Sequence, residues 1–306
     1  MANTTPRAYA AAHFALELDG KSDVGLFRSI EGGSLKADVM TYQNGQTYDR
    51  WRQLGKPKFE DFKLQVGMSM SKPFYDWIAA FFAGQAVRKT GAIVAADFYY
   101  MERARREFKE AMIKELSFPK LDGQDKGAAY MTIGVAVEEM TFKPGTNKKL
   151  QQMTGMQAQK LWTACNFRFS LDGFEDACKN VSKVDSFTVK QTIIEHHVGT
   201  LRAPIKCPSQ IDFPQLSFYV PESDAEKFQT HITNRIVNGV KPGLLNGTIQ
   251  TYDNQMKPLF TLSFYGADIL AVTPDKLDSA SEEIKQCKID ITTESMAFEY
   301  AAMQVE

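Results

Sequence analysis

The sequence carries almost no net charge, since 36 lysines and arginines face 37 aspartates and glutamates over 306 residues, leaving −1. That excludes a protein that grips nucleic acid through its overall field. Cysteine is scarce as well. The four thiols, Cys165, Cys178, Cys207 and Cys287, show no C-x-x-C spacing, and a chain this long needs no disulfide framework. They are expected to be reduced and partly buried. No stretch approaches the roughly 20 apolar residues needed to cross a bilayer. The N-terminus has an alanine run, Tyr9-Ala-Ala-Ala-His13, but no basic region ahead of an apolar core, so no signal peptide is expected. These absences point to a soluble protein.

Recognisable chemistry is missing too. There is no Walker motif, G-x-G-x-x-G, H-E-x-x-H or nucleophile elbow. His196-His197 with Cys207 lacks a further ligand at metal-binding spacing and reads as imidazoles in a polar loop. Glu138-Glu139 falls in an alternating segment where neighbours point to opposite faces, which defeats acid–base work by the pair. No catalytic residue, cofactor or metal is expected. The chain does not read as an enzyme.

What the chain does contain is itself, twice. His13-Phe-Ala-Leu-Glu-Leu-Asp-Gly20 returns as Asn166-Phe-Arg-Phe-Ser-Leu-Asp-Gly173, a displacement of 166 − 13 = 153 residues. Phe59-x-x-Phe62-x-Leu64-x-Val66 is echoed by Phe213-x-x-Leu216-x-Phe218-x-Val220, at 213 − 59 = 154. Ile133-x-Val-x-Val-Glu138-x-Met140-x-Phe142 returns as Ile289-x-Ile-x-Thr-Glu294-x-Met296-x-Phe298, at 289 − 133 = 156. Lys120-Leu-Asp122 recurs unchanged as Lys276-Leu-Asp278. The length suits about two ordinary domains. The expected organisation is an N-terminal arm (1–12), a first domain (13–145), a linker (146–160) and a second domain (161–306).

Alternation dominates the pattern. His13–Leu18, Gly25–Ile30, Ser34–Tyr42, Phe59–Met68, Ala92–Tyr100, Arg106–Ile113 and Met131–Phe142 all read as extended. Gln43–Lys56 reads as a long polar loop, and His196–Pro208 as its equivalent. One helix interrupts the strands: Ser71 as N-cap, Pro73 in the first turn, then Phe74, Trp77, Ile78 and Phe81 at helical spacing. Arg103, Arg105 and Arg106 read as a solvated turn or a partner contact. The expected fold class is mainly β, with two tandem β-barrel or sandwich domains, each flanked by one α-helix.

The opening strand ending in Leu-Asp-Gly, then Val24-Gly-Leu-Phe-Arg28, then Leu54-Gly-Lys-Pro-Lys-Phe59 and the Trp77 helix, resembles the phage tail tube protein family, relatives of the type VI secretion tube proteins. The resemblance covers most of residues 13–145 and reaches 166–300 only through the repeat, where His231 replaces Trp77 and Cys207-Pro-Ser-Gln-Ile-Asp-Phe213 replaces the basic run. It implies barrel-like subunits that associate with themselves into six-membered rings and stack into a hollow tube. A tandem subunit would close as three chains with pseudo-six-fold symmetry, or as a hexamer with one copy outside. It implies a virion tail assembled in the bacterial host cytoplasm, with sheath and baseplate as partners and DNA passing unbound through the lumen. The loop that meets the next ring would be Gln43–Lys56, with Tyr48, Arg50, Trp51, Arg52, Leu54 and Lys56, and then His196, His197 and Arg202. The alternatives are a tube, hub or baseplate part of a bacterial contractile injection system and, from another class, a two-domain β-sandwich binding module whose exposed aromatics would be Tyr48 and Trp51.

Overall fold

A computed structural model describes residues 13–150, 162–276 and 284–301, apart from positions 23, 44, 47 and 242. The expected arm and most of the expected linker lie outside the described residues. The first half runs β1 (His13–Leu18), β2 (Gly25–Gly32), β3 (Leu35–Gln43), β4 (Arg50–Phe59), β5 (Phe62–Met70), α1 (Lys72–Phe82), β6 (Lys89–Ala96), β7 (Glu102–Phe118), β8 (Leu121–Asp122), β9 (Met131–Ala136) and β10 (Glu139–Pro144). The second runs β11 (Phe167–Leu171), β12 (Lys183–Val184), β13 (Phe187–His196), β14 (Ile205–Asp212), β15 (Leu216–Pro221), α2 (Glu226–Ile236), β16 (Leu245–Tyr252), β17 (Pro258–Pro274), β18 (Gln286–Thr292) and β19 (Ser295–Tyr300). The fold is mainly β, as its alternation predicts.

Strand order in the first half is β1-β6-β7-β9-β5-β2, with β10 beside the early part of β7. Because β1 also approaches β2, the sheet is nearly closed. The second half follows the same order, β11-β16-β17-β18-β15-β12, with β19 beside β17. Pairings correspond residue by residue. Leu16 faces Ile93 and Phe169 faces Ile249; Phe108 faces Met140 and Phe264 faces Met296. Irregularities correspond as well. Asp97 caps the amides of Tyr99 and Met101, and Asp253 caps those of Gln255 and Lys257. Tyr100 and Met256 take positive φ in those turns, 62° and 58°. Gly91 and Gly247 lie where a Cβ would sit 2.0 Å from the Glu17 carbonyl and 2.4 Å from that of Ser170. Only glycine permits these close approaches.

Helix α1 buries Phe74, Tyr75, Trp77, Ile78, Phe81 and Phe82, the stripe that its spacing predicts. It ends at Ala83, next to Gly84 at φ 70°. The α2 helix is far more polar and buries only Phe228.

The two halves share one core. Tyr75 and Phe82 of α1 stack on Tyr300 and Phe298 of β19 at 4.9 and 6.0 Å. Phe118 of β7 stacks on Phe187 of β13 at 4.8 Å and packs against Phe260 of β17. Strands cross the boundary too: β8 pairs with β12, and residues 115–118 of β7 pair with residues 187–190 of β13. Trp162 and Ala164 are tied to the loop before β9 by backbone bonds from Ala129 to Trp162 and between Ala164 and Gly127.

Three sequence expectations need correction. Gln43–Lys56 and His196–Pro208 are not long loops: β3–β4 and β13–β14 are hairpins, leaving only the 44–49 and 197–204 connections. Polar strand residues hid the first, because all of β3 and most of β4 are exposed and only the end of β4, at Phe59, packs against the core, so the alternation carries little hydrophobic signal. Met131–Phe142 is two strands on different parts of β7, broken at Val137-Glu138. Arg103, Arg105 and Arg106 lie in β7 rather than in a solvated turn. Arg105 is pinned by Glu17 at 2.6 Å and Glu102 at 2.8 Å.

Candidate assembly interface

The first hairpin, β3–β4, forms its own two-stranded sheet and, among the described residues, joins no other strand. Every residue of β3 is exposed. Its register places Tyr42 opposite Trp51 and Met40 opposite Gln53, so these four share one face; the Tyr42 hydroxyl reaches the Met40 sulfur at 3.9 Å. Arg50 and Arg52 fall on the opposite face, opposite Gln43 and Thr41, with Val39 opposite Leu54. One face is thus aromatic and the other basic. Trp51 is 69% exposed and Leu54 71%. Tyr48 stands fully in solvent at the tip, and Lys56 is exposed on β4. The structure therefore brings Tyr48, Arg50, Trp51, Arg52, Leu54 and Lys56 onto one projecting arm.

The second hairpin behaves differently. His196 lies opposite Ile205, with His197 exposed beyond it and 3.8 Å from Glu195. Arg202 does not project with them: with Ala203 and Pro204 it lines a shallow groove against Pro57, Phe59 and Glu139 of the first half. The sequence groups His196, His197 and Arg202 with the first arm, but this hairpin is folded back on its own chain. Among the described residues, no group of three or more His, Cys, Asp or Glu is placed to hold a metal ion.

The side chain that anchors the second hairpin, Lys206, was not singled out by sequence reasoning. It is buried, and its ammonium reaches Asp61 at 3.0 Å while its backbone N–H donates to Glu138 at 2.8 Å. Arg88 completes the junction with a 2.6 Å bond to Glu138 and a bond to the Lys206 carbonyl. Burial pushes the Asp61 carboxyl up, but Lys114 and Lys206 together more than offset it and hold the group below its ordinary value. The sequence signal was available in one respect. Glu138 recurs as Glu294, both amides bond back to the long strand (to Lys109 and Tyr265), yet only Glu138 is covered.

The cysteines are free, with Cys178 and Cys287 buried and Cys165 and Cys207 half-buried. Burial pushes the Cys178 thiol up to about 12, which makes it inert at neutral pH. No described helix is long and apolar enough to cross a membrane.

Residues 10–141 match the family described as the T4-like virus tail tube protein gp19. Among solved structures, the chain is similar to a component of the anti-feeding prophage cap, the tube-terminating cap, at 18% identity and a TM-score of 0.41, covering 47% of this chain and 100% of that one. A chain of the sheath–tube complex of an extracellular contractile injection system, PVC, aligns at 17% identity and TM-score 0.40, covering 45% and 92%. A chain of the anti-feeding prophage baseplate gives 12% and 0.35, covering 44% and 91%. No match was found among curated proteins.

Proposed function

We propose that the chain is a structural subunit of a phage tail, a tube or baseplate component that assembles with copies of itself into stacked rings around a conduit. The observation that carries this reading is the match of residues 10–141 to the tail tube family. The reading is structural rather than catalytic. The shared strand order and matched irregularities of the second half support a tandem duplication of the same domain, with boundaries near 13–145 and 161–306. In the assembled tail, sheath and baseplate are the neighbouring partners. The near-neutral charge suits a lumen through which DNA slides without being held.

The projecting β3–β4 arm is the proposed contact with the adjoining ring, through Tyr48 and Arg50 near its tip and Trp51, Leu54 and Lys56 behind them, with His196 and His197 at the end of the second hairpin adding a lesser contact. Exposed aromatics on a two-stranded arm are poorly placed unless something covers them. Negative-stain electron microscopy of the purified protein at rising concentration tests the reading. Rings or tubes with a central hole are expected. A monomer at every concentration, with Trp51 protected by a carbohydrate or a protein ligand, would instead favour a two-domain binding module.

A further inference from the structure

We propose that a cleft between β2, β5 and the turn ahead of β9 binds one acidic side chain, presented on an extended segment of a partner protein. The cleft shares no residue with the β3–β4 arm, and its chemistry goes beyond the self-assembly proposed above.

The sheet itself opens the space. Strand β5 pairs with β9 only as far as Val66 opposite Met131, and β2 meets β5 through register shifts on either side of Phe27. Gly67, Met68 and Ser69 run on past the start of β9, and a Cβ added to Gly67 would meet nothing within 4 Å. The resulting cleft has a volume of about 210 Å³. Its walls are held from behind. The Tyr75 hydroxyl donates to the Met68 carbonyl at 2.7 Å, and the Ala129 N–H donates to the Trp162 carbonyl at 2.8 Å.

The polar side chains that line it, Arg28, Ser69, Tyr130 and Trp162, all carry donors, and none is acidic. Arg28 lies over the Tyr130 ring, 4.5 Å from its centre, and pairs with no carboxylate among the described residues. The Ser69 and Tyr130 hydroxyls have no side-chain hydrogen-bond partner among those residues either. Trp162 is only 2% exposed, yet its indole N–H is unpartnered. Behind the indole lies a void of about 10 Å³ walled by apolar side chains such as Phe118, Leu121 and Leu262. Buried donors pair with an acceptor, and the cleft is the side from which one can reach this N–H. The larger groove along Asp61 and Glu138 differs, because its charges already neutralise one another, Lys206 with Asp61 and Arg88 with Glu138.

One guanidinium and three neutral donors call for an anionic acceptor, and the space selects which. Room for about seven waters at ~30 Å³ each falls below the roughly 300–1,000 Å³ of sites for drug-sized ligands. A nucleotide or an oligosaccharide is therefore too large. The stem of an aspartate or glutamate fits, with its carboxylate on the Arg28 fork and its methylenes against Phe27 and Met68.

This donor set is an addition to the repeated fold. Val184 faces Phe218 as Ile30 faces Leu64, so Ser182 stands where Arg28 does. At the displacement that carries Ile133 to Ile289, Tyr130 becomes Gln286. Trp162 comes from the segment that leads into β11, so the site exists only where the two halves are joined. Folding the domain does not require these donors, whereas recognising an acidic partner does.

The test is fluorescence polarisation of the full-length chain with a labelled pentapeptide that carries one glutamate between leucines. The same peptide with glutamine in that place is the uncharged probe. The glutamate peptide should bind at least about tenfold more tightly, the factor that a hydrogen-bonded charge supplies. Arg28→Gln, at an exposed position, should remove that preference while leaving the unfolding midpoint in place. Trp162→Phe keeps a ring against Phe260 but deletes the N–H, and should weaken the glutamate peptide by a smaller factor. Equal binding of the two peptides, or a preference that survives Arg28→Gln, overturns the site, whether or not rings form. Competition by N-acetylglutamate as strong as that of unlabelled peptide assigns the cleft to a free small carboxylate and overturns the partner segment. Peptide binding that is lost as rings or tubes form puts an acidic side chain of a second copy in the cleft. That result overturns a separate partner and leaves the tail-tube reading standing.

Discussion

The aromatic junction makes a quantitative demand: the halves should not unfold separately. Phe118 is buried and meets Phe187 at 4.8 Å, Phe260 at 6.0 Å and Phe82 at 6.4 Å, so its ring touches both halves. Truncating a buried phenylalanine to alanine costs about 3–5 kcal/mol, a large share of the ~5–15 kcal/mol that holds a typical domain. If the core is shared, Phe118→Ala removes that stability from both halves at once. Two tryptophans report on them, Trp77 on the first half and Trp162 on the second half where it meets the junction. Trp77 lies in α1 with its indole N–H donating to the Val87 carbonyl at 3.0 Å, and Trp162 packs edge-on against Phe260. Starting from Trp51→Phe, which removes the solvent-exposed reporter, either Trp77 or Trp162 is kept and urea unfolding is followed by fluorescence. The midpoints of both reporters should fall together and by similar amounts. A Trp77 transition that moves while the Trp162 transition stays in place would refute a shared core and make the halves independent domains on a tether.

Other perturbations have equally definite outcomes. Trp51→Ala with Leu54→Ala should leave the thermal midpoint nearly unchanged, within about 0.5 kcal/mol for exposed positions, while abolishing tubes by electron microscopy; persistent long tubes would remove the arm from the ring contact. Gly247→Ala should destabilise by at least about 1–3 kcal/mol, because the new methyl collides with the Ser170 carbonyl and the Phe264 ring; an unchanged denaturation midpoint would mean that β16 can move away. The Asp61 carboxyl is held below its unfolded value, so its stabilisation is present above about pH 4 and is lost as pH falls through the folded pKa. Lys206→Met should flatten that acid-side loss, read as unfolding midpoint against pH; parallel curves for the two proteins would show that Lys206 does not hold the carboxylate ionised.

What the sequence revealed follows from what was local. The Leu-Asp-Gly turns, the buried alternation of β5 and the Phe74-Trp77-Ile78-Phe81 stripe depend on neighbours in the chain, and each was legible. The self-similarity was visible because paired irregularities, such as Asp97 with Asp253, need the same residue types to form. The junction was not. Phe118 meets Phe187, and Lys206 meets Asp61, across long separations that leave no periodic trace. The hairpins were missed for a related reason. β3 and β4 pair with each other and bury little beyond Phe59, so their residues look like a polar loop.

The internal hairpin contact also changes how assembly depends on dilution. A surface joined to its partner by a short linker sees it at an effective concentration of about millimolar, whatever the amount of protein in solution. The β13–β14 contact on β7 therefore forms as each chain folds. In the ring proposed for such chains, only alternate contacts would wait for an encounter. Six separate domains must meet through about five bimolecular encounters before the last contact closes the ring, whereas three tandem chains need about two. For that proposed ring, the growth threshold should be correspondingly lower and less steep in protein concentration.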